Sequence, residues 1–386
     1  MSRQHFIDSS QRFVAWCQMA LKYWAETASD PKGGFAEHLQ MDGTPDYEHL
    51  RRVRVQARQS YVYAHAAHLG WYDAAQKASD HAWEFATGPG SAGGDFIKSG
   101  PRGCAHLVKG NGMMHDDMRD TYAQAFILLS GAWRYKAFGD TASLRQAEDT
   151  LTYLNMNVKA ETGGWLEALP APKSKQRRQN PHMHLFEAFL ALYDATKDQK
   201  YLDLSHDMYA LFTQHFFDKS NNALLEFFAP DWTPHGDGGP VEPGHMMEWC
   251  WLLRVYQRLS GQDVTEFADK LYKGALDYGW NAELGLICDA VNLSCPALEP
   301  SYRTWPQTEL IKASIAQAAA GQNEMYEAAA NAIDALFKHY LSVPIKGGWC
   351  DKIAKDGSMI SSVMPTSTFY HLFCAAAEAE TLAASL

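Results

Sequence analysis

The chain has 386 residues, of which 46% are hydrophobic and 20% are charged, and its formal net charge is −11. This composition excludes a disordered chain, and the acidic balance argues against a nucleic-acid partner, which would need a basic stripe. No apolar signal-peptide core follows Met1 and no uncharged run is long enough to span a membrane, so neither is expected. Seven scattered cysteines without a C-x-x-C pair predict neither a disulfide framework nor a zinc ribbon, which favours a cytoplasmic protein.

Apolar residues recur at helical spacing in a series of segments that predict about twelve helices. In chain order these segments are 9–28, 49–69, 71–87, 114–138, 141–157, 182–196, 198–217, 243–260, 264–280, 303–319, 322–340 and 365–382. They are rich in Leu, Ala and Met, and none has a proline in its middle. Since no stretch alternates long enough to build a large sheet, the pattern predicts an all-α protein.

The connections between these segments alternate in length. Short ones, such as 69–71 and 138–140, join two helices into a hairpin, whereas long ones carry glycine and a short extended run. Six markers in the long connections, separated by 60, 70, 59, 62 and 63 residues, are Gly34, Gly94, Gly164, Ala223, Gly285 and Gly348. A regular period of this kind indicates a repeat architecture.

Six helix pairs can either close as a double ring or remain an open solenoid. We expect closure into an (α/α)6 barrel, with short β-hairpin loops at the active-site end and residues 1–386 forming a single catalytic domain. The helices after the long connections are the less charged ones, which suits an inner ring. Closure would place the first turns of these helices around the mouth of one cavity.

One polar residue occupies an equivalent place near the start of each predicted inner helix. These residues, separated by 64, 62, 61, 64 and 62 positions, are Arg58, Tyr122, His184, His245, Glu309 and His371. A core would fill such places with leucine, because desolvating a polar group without a partner costs roughly a few kcal/mol. Their recurrence therefore predicts a functional site.

Two histidines in this set have a glutamate three residues later. Glu187 follows His184 and Glu248 follows His245, a spacing that puts both side chains on one helix face. A carboxylate beside an imidazole selects its tautomer and raises its pKa, which tunes a general base. Metal ligation and an ordinary buried histidine are the alternatives. Because the pair occurs twice and His371 faces both, we expect acid–base chemistry without a metal.

Four residues, two of them outside the set of six, have polar or aromatic groups suited to a ligand. Arg58 would stabilise an oxygen that gains negative charge, or else form an ion pair with a neighbouring acid. Trp305 and Glu309 lie one helical turn apart, so they can stack on a sugar face and hold its hydroxyl groups. Asn180 is either a helix N-cap or a ligand contact.

Two other patterns indicate different functions only weakly. Residues 88–93 match G-x-G-x-x-G, but they follow a helix and open no βαβ unit, so a dinucleotide site is not expected. The carboxylates of Asp116, Asp117 and Asp120 precede an inner helix, as an inverting glycosidase would need. A helix cap is the simpler explanation for one of them.

These residues resemble the N-acylglucosamine 2-epimerase family of sugar epimerases and aldose–ketose isomerases. The matching stretches cover the whole chain and are Gln56–Arg58 with Tyr61, Tyr122–Phe126, Asn180–Ala188, Glu242–Trp249, Arg303–Glu309, and Gly347–Trp349 ahead of His371. The resemblance implies an (α/α)6 barrel in which His245 and His371 are the acid–base pair and Glu248 supports His245. The residues that resemble sugar-binding ones are Arg58, Tyr122, Asn180, His184, Glu187, Trp305 and Glu309.

The resemblance is less specific for the substrate. Ala123 stands where many members have Asp, and residues 231–241 hold His235 but no Arg, so the resemblance does not extend to the far end of the sugar. The forms Asn-Pro-His-Met-His and Val-Glu-Pro-Gly-His resemble the mannose-isomerase branch. They imply interconversion of D-mannose and D-fructose, or of D-lyxose and D-xylulose, without a cofactor, by a monomer or homodimer.

Several other functions stay open, because two histidines serve more than one reaction. An isomerase needs one base that moves a proton from C2 to C1, whereas a 2-epimerase needs a base on each face of the sugar. Such an epimerase would act on mannose or glucose, cellobiose or an N-acylglucosamine. A phosphosugar isomerase, an (α/α)6 glycosidase and a non-enzymatic helical-repeat scaffold are the remaining alternatives.

Overall fold

The computed structural model describes residues 2–88, 103–236, 238–292 and 300–386. Two features of the sequence, the marker at Gly94 and the glycine motif beyond Gly88, lie outside these residues, as does Cys295. The six described cysteines are all buried and free, so no disulfide crosslinks this part of the chain.

Twelve α-helices in the described residues form two concentric rings. The inner ring consists of α2 (Val53–His68), α4 (Thr121–Phe138), α6 (Gln179–Thr196), α8 (Pro243–Ser260), α10 (Thr304–Ala319) and α12 (Thr368–Ala383). Each inner helix contacts the next, and α12 contacts α2, so the ring is closed. Every inner helix follows a long connection. The predicted (α/α)6 barrel is confirmed.

The outer ring packs against the inner one. Its helices are α1 (Ser2–Thr27), α3 (Ala75–Thr87), α5 (Thr141–Tyr153), α7 (Gln199–Leu211), α9 (Thr265–Gly279) and α11 (Met325–Leu336). Five of them contact the inner helix that precedes them in the chain, whereas α1 packs on α12 and α11. None of the twelve helices described is both long and apolar enough for a bilayer crossing.

Fifteen short strands lie in the described parts of the connections. They are β1 (His38–Gln40), β2 (Arg51–Arg52), β3 (Leu107–Val108), β4 (Met114–Asp116), β5 (Arg119–Asp120), β6 (Ala168–Leu169), β7 (Arg177–Arg178), β8 (Phe217–Asp218), β9 (Ala223–Leu224), β10 (Phe227–Phe228), β11 (Trp280–Asn281), β12 (Leu286–Ile287), β13 (Tyr302–Arg303), β14 (Lys352–Ile353) and β15 (Val363–Pro365). All their pairings are antiparallel.

The strand pairings link neighbouring repeats in a second closed ring. The segment before each inner helix pairs with a different repeat: β2 with β3, β5 with β6, β7 with β10, β13 with β14, and β15 with β1. Before α8 the link is a single antiparallel bridge between Val241 and Val291. The entry point of every inner helix is therefore held at the same end of the barrel.

Side-chain amides attach the long connections to the inner helices. Three glutamines each accept from the backbone N–H and donate to the C=O of one residue in the preceding connection; the pairs are Gln56 with Phe35, Gln124 with Cys104, and Gln307 with Ile287. In the third repeat His182 Nε2 accepts from the N–H of Trp165 at 3.0 Å. The repeated bonds satisfy buried backbone groups and hold the connection over the barrel end.

An aromatic stack joins the two ends of the chain. Trp24 in α1 is fully buried and stacks on Trp349, with ring centroids 4.4 Å apart, and on Phe369 of α12 at 6.0 Å. The indole Nε1 of Trp24 also donates to the carbonyl of Gly347 at 2.9 Å. These contacts pack the first helix against the last one where the ring closes.

Two predicted helix starts are wrong. Helix α1 begins at Ser2 and not at residue 9, because Phe6 is buried and the Ser9 hydroxyl donates to Asp334 of α11 at 2.9 Å. Helix α4 begins at Thr121 and not at residue 114, because residues 114–116 pair as a strand and the Asp120 side chain accepts from the N–H of Ala123 as an N-cap. Both starts depend on contacts that helical periodicity does not report.

Three predicted outer helices also end earlier than expected. Helices α5, α7 and α11 change from α-helical to π-helical geometry at their C-terminal ends, over residues 154–158, 212–216 and 337–341. The apolar period continues through these wider turns, so the sequence pattern does not distinguish the two geometries.

Replacing Trp24 with alanine is expected to lower the free energy of unfolding by about 3–5 kcal/mol, because it leaves a cavity where the ring closes. Urea denaturation followed by circular dichroism measures the change. The control is Trp280→Ala, since Trp280 is 47% exposed and its loss should cost about 1 kcal/mol or less. Equal losses in the two variants would contradict this role of the stack.

Candidate active site

The first turns of the inner helices surround a cavity of about 460 Å³, a size typical of small-molecule sites. Eight sequence-predicted residues line it: Arg58, Tyr122, Asn180, His184, His245, Glu248, Trp305 and His371. The other lining residues are Arg52, Glu242, Arg303, Asp351, Pro365, Ser367 and Thr368. Glu187 and Glu309 do not line the cavity but hydrogen-bond to histidines that do.

His245 lies between two carboxylates and an amide. Its Nδ1 is 2.9 Å from Glu226 Oε1 and 3.4 Å from Glu242 Oε2. Its Nε2 is 3.0 Å from the side-chain amide of Asn180. Burial alone lowers the pKa of His245, but Glu226 and Glu242 outweigh it and raise the pKa to about 10. His245 is therefore an imidazolium at neutral pH.

Asn180 belongs to the cavity and is not a helix cap. Helix α6 begins at Gln179, with Arg178 in the N-cap position, so the cap interpretation is wrong. The amide oxygen of Asn180 is buried and otherwise unpartnered. Since protonated His245 donates from both ring nitrogens, the amide orientation that turns this oxygen to Nε2 satisfies both groups.

The predicted partner of His245 is not its hydrogen-bond partner. Glu248 Oε1 lies 3.9 Å from His184 Nδ1, whereas His245 bonds to Glu226 in the hairpin before α8. Both Glu248 and His245 face the cavity, as their spacing predicts, but the imidazole turns toward the barrel mouth. Glu226 has no regular spacing from His245 that would have identified it in the sequence. Glu242 lies three residues before His245, and this spacing could have predicted their contact.

His371 has the opposite electrostatic environment. Its Nδ1 is 2.8 Å from Glu309 Oε1. The Trp305 ring is close to both histidines, with its centroid 5.7 Å from that of His371 and 5.0 Å from that of His245. Burial, followed by the positive charges of Arg58 and Lys312, holds the pKa of His371 well below its usual value. His371 is therefore a neutral imidazole at neutral pH.

His184 and Glu187 form the predicted pair on one helix face. His184 Nδ1 is 3.1 Å from Glu187 Oε2, and the Tyr370 hydroxyl donates to the other carboxylate oxygen at 2.5 Å. Burial raises the pKa of Glu187, but hydrogen bonding and attraction to His184 outweigh it and leave the pKa below its usual value. Glu187 is therefore an ionised partner that orients His184.

Arg58 faces hydroxyl and aromatic groups. One of its terminal nitrogens donates to the Tyr122 hydroxyl at 2.7 Å, and its guanidinium lies 4.2 Å and 4.7 Å from the ring centroids of Phe126 and Tyr370. Within the described residues it has no carboxylate in ion-pair contact, so the alternative of a structural ion pair is not observed. Its charge is available to an anionic or electron-rich ligand.

Among the residues that the structure describes, three groups of side chains could hold a metal ion, because the ligand atoms of each group lie within 4.8 Å of one another. They are His184 with Glu187 and Glu248, Glu226 with Glu242 and His245, and Glu248 with Glu309 and His371. The ammonium of Lys312, 2.6 Å from Glu309 Oε2, already provides a cation beside the third group.

The carboxylates considered for a glycosidase do not line the cavity. Asp120 caps α4 and bonds to His106 at 2.5 Å, whereas Asp116 and Asp117 lie in the connection before it. The fold and the cavity thus define an (α/α)6 barrel whose mouth holds histidines of opposite protonation.

This chain belongs to the N-acylglucosamine 2-epimerase (GlcNAc 2-epimerase) family, which it matches over residues 33–375. It is 33% identical over 373 residues to a mannose-6-phosphate isomerase of Rhizobium meliloti (strain 1021), with 94% of each chain covered. A D-mannose isomerase of Thermobifida fusca is 26% identical over 279 residues, covering 67% of this chain and 66% of that one. The predicted family is confirmed, and the chain is an enzyme of the sugar isomerase and epimerase class.

Solved structures have the same fold. The crystal structure of a D-mannose isomerase superposes with a TM-score of 0.86 at 20% identity, covering 96% of this chain and 97% of that one.

Replacing Glu226 with glutamine should lower the pKa of His245 from about 10, because one of its two carboxylate partners loses its charge. Nitrogen-15 NMR titration of the histidine side chains measures this pKa. The folded pKa lies above the unfolded value, so the stability that His245 contributes is present below about pH 6.5 and lost as the pH rises through about 10. In the variant this loss should occur at lower pH.

The matched control is Glu266→Gln, because Glu266 lies on outer helix α9 and pairs with exposed Lys270. This change should leave the titration of His245 unaltered. An unchanged titration in Glu226→Gln would show that Glu226 does not hold His245 in its charged form.

Proposed function

We propose that this protein is an aldose–ketose isomerase that interconverts D-mannose and D-fructose, with D-lyxose and D-xylulose as a second pair. The observation that carries the proposal is the contrast between the surroundings of two histidines that both contact Trp305. Two carboxylates, Glu226 and Glu242, lie within 3.4 Å of His245 Nδ1, whereas burial and the positive charges of Arg58 and Lys312 lower the pKa of His371. Two groups with separated pKa values in one cavity are suited to act as base and acid at the same pH. The names of the two relatives, both mannose-type isomerases, support the choice of sugar.

His371 is the proposed base. After the hemiacetal opens, its unprotonated Nε2 takes the proton from C2, and the electron pair left behind forms the C1=C2 bond of an enediolate. The same proton is then delivered to C1, while O1 gains a proton and O2 loses one, which gives the ketose. One base thus serves the reaction in both directions.

His245 is the proposed acid for ring opening. Its imidazolium gives a proton to the ring oxygen, and the proton that leaves O1–H replaces it, so the charge on His245 is restored. Glu226 holds the ring at Nδ1, and Nε2, whose partner here is Asn180, is the nitrogen that gives up and regains the proton. Glu248 contributes negative charge to the same imidazolium and lines the cavity beside it.

The remaining lining residues are proposed to bind the sugar. The guanidinium of Arg58, 2.7 Å from the Tyr122 hydroxyl, would stabilise the negative charge on O1 of the enediolate. Trp305 offers a flat ring for a sugar face. His184, oriented by Glu187, supplies a polar contact at the cavity floor, whereas Glu309 acts through His371 and does not reach the sugar.

The protonation of His245 supports an isomerase over a 2-epimerase. An epimerase that runs in both directions uses each of its two bases in turn to remove the C2 proton. Glu226 and Glu242 hold His245 as an imidazolium, which makes it a poor base and a good acid. A single base at His371 fits the isomerase reaction, in which the proton stays on one face.

A phosphorylated hexose is the second candidate substrate, because the Rhizobium meliloti relative is named for mannose 6-phosphate. The cavity mouth favours the free sugar. Arg52 and Arg303 line it, but each has an acidic partner at its Nε, Glu37 and Asp289 respectively, and the negative charge of these partners opposes the binding of a phosphate. The carboxyl of Asp351, whose pKa burial raises, adds a second acidic group beside Arg303.

Replacing His371 with alanine should abolish turnover of mannose without unfolding the protein, because the reaction loses its base. A sugar product assay measures turnover, and circular dichroism checks the fold. The matched control is His206→Ala on outer helix α7, where the ring bonds to the Tyr256 hydroxyl at 2.6 Å. Near-wild-type activity in His371→Ala would reject the proposed base.

Incubation in deuterated water with a chelator tests the reaction itself. The sugars to compare are mannose, mannose 6-phosphate, fructose, glucose, lyxose, cellobiose and N-acetylmannosamine. We expect fructose from mannose, with deuterium at C1 of fructose wherever the base exchanges its proton with solvent. Glucose that carries deuterium at C2 would identify an epimerase instead. A higher kcat/KM for mannose 6-phosphate than for mannose would favour the phosphosugar as the substrate. Loss of activity with the chelator would indicate a metal-dependent reaction.

A further inference from the structure

A lysine lies buried directly beneath the cavity. Lys312 is on the third turn of α10 and is fully buried. Its Nζ is 2.6 Å from Glu309 Oε2 and 3.7 Å from the ring centroid of Trp251. Moving an ammonium from water into a protein interior costs roughly several kcal/mol, so a cation at this depth needs negatively charged partners. The reaction proposed above does not use Lys312, and the sequence motifs do not include it.

Carboxylates from several inner helices surround this ammonium. Burial alone lowers the pKa of Lys312, but Glu309, Glu248 and Glu187 outweigh it, so the pKa lies above its usual value. The side chain therefore remains protonated across the physiological range. It is a permanent positive charge beneath the cavity.

Glu309 connects this charge to His371. One carboxylate oxygen of Glu309 lies 2.6 Å from Lys312 Nζ, and the other lies 2.8 Å from His371 Nδ1. Burial outweighs the attraction of Lys312 and leaves the pKa of Glu309 well above its usual value, and Lys312 is the largest of the effects that oppose this rise. Without the ammonium, Glu309 would take up a proton more readily.

The protonation of Glu309 decides which nitrogen of His371 is free. As a carboxylate, Glu309 accepts Nδ1–H and leaves the lone pair of Nε2 facing the cavity. As an acid, it would donate to Nδ1, and neutral His371 would then carry its proton on Nε2. In that tautomer His371 could not take a proton from the sugar.

We propose that Lys312 is a positioning residue that favours the ionised form of Glu309 and so favours the His371 tautomer with a free Nε2. This inference rests on the proposed function, in which His371 is the base. The ammonium acts through Glu309 and does not touch the sugar, because Lys312 does not line the cavity.

Other charged groups also face His371 and are common to every variant below. They are Arg58 on α2, His184 on α6, and His245 and Glu248 on α8, with Tyr370 beside it on its own helix. Since none of them changes, a shift in the pH profile reports on Lys312 and Glu309.

The first experiment compares Lys312→Met with Lys312→Arg. In Lys312→Met we expect kcat for the sugar to fall about 100-fold at neutral pH, because His371 then has its proton on Nε2 and cannot act as the base. KM should change little, because the residues that bind the sugar are unaltered. The acid limb of the kcat profile should move up by about one pH unit or more, since Glu309 now deprotonates at higher pH. Lys312→Arg, which keeps the charge, should retain most of the activity and the original limb.

A buried cation near the C-terminal end of inner helix α4 provides the matched control. Arg134 bonds to Ser79, Asp80, Ser143 and Asp140, far from the cavity lining. Arg134→Met should lower stability to urea without moving the pH limb. If Lys312→Met lowers stability and leaves the limb in place, Lys312 has only a structural role and the proposal is wrong.

A double-mutant cycle tests whether Lys312 acts through Glu309. The amide oxygen of Glu309→Gln can accept Nδ1–H at any pH, so adding Lys312→Met to it should lower kcat far less than in the wild type. Equal effects of Lys312→Met in both backgrounds would contradict the connection.

Nitrogen-15 NMR of His371 separates this inference from the proposed function. The wild type should show Nδ1 protonated and Nε2 bare, whereas Lys312→Met should show the reverse at neutral pH. An unchanged tautomer would overturn the inference even if the enzyme isomerises mannose. A switched tautomer in a protein that acts on none of the sugars would support the role of Lys312 and reject the reaction.

Discussion

Closure of the helical ring is the constraint on which the cavity depends. Because α12 contacts α2 and β15 pairs with β1, the first turns of six inner helices face one axis. An open array of the same helix pairs would spread these residues along a groove, with Arg58 and His371 at opposite ends. In the closed ring, His371 is buried and lies near enough to Arg58 for the guanidinium to oppose its protonation. Arg58 from the first repeat and His371 from the last therefore line the same cavity.

Burying so many polar groups would be costly if each stood alone. Each lining histidine instead has a carboxylate at one ring nitrogen: Glu187 for His184, Glu226 for His245, and Glu309 for His371. The environments still differ, because a second carboxylate, that of Glu242, lies 3.4 Å from His245 Nδ1, whereas the positive charges of Arg58 and Lys312 oppose the protonation of His371. The same side chain therefore becomes an acid at one place and a base at the other.

The parts of the sequence that depart from the family pattern lie away from this chemistry. Ala123 is buried in α4, and the described residues among 231–241 do not line the cavity. The mouth instead carries Arg52 and Arg303, each with a carboxylate partner. Residues at the mouth can thus change while the histidines below keep their positions, since loops vary more readily than packed helices.

Helical periodicity and the regular spacing of the connections were enough to predict the helix pairs, the six-fold repeat and the six equivalent residues, five of which line the cavity. These signals are local in the chain, and closure of the ring brings residues at equivalent positions of the repeats to one place. Which side chains contact each other, however, depends on the packing of separate repeats. Glu248 shares a helix face with His245, but the imidazole bonds to Glu226, which comes from a hairpin without any periodic mark. Likewise Glu309 does not line the cavity, because its two carboxylate oxygens contact His371 and Lys312. These two contacts compensate a buried carboxylate for the loss of water.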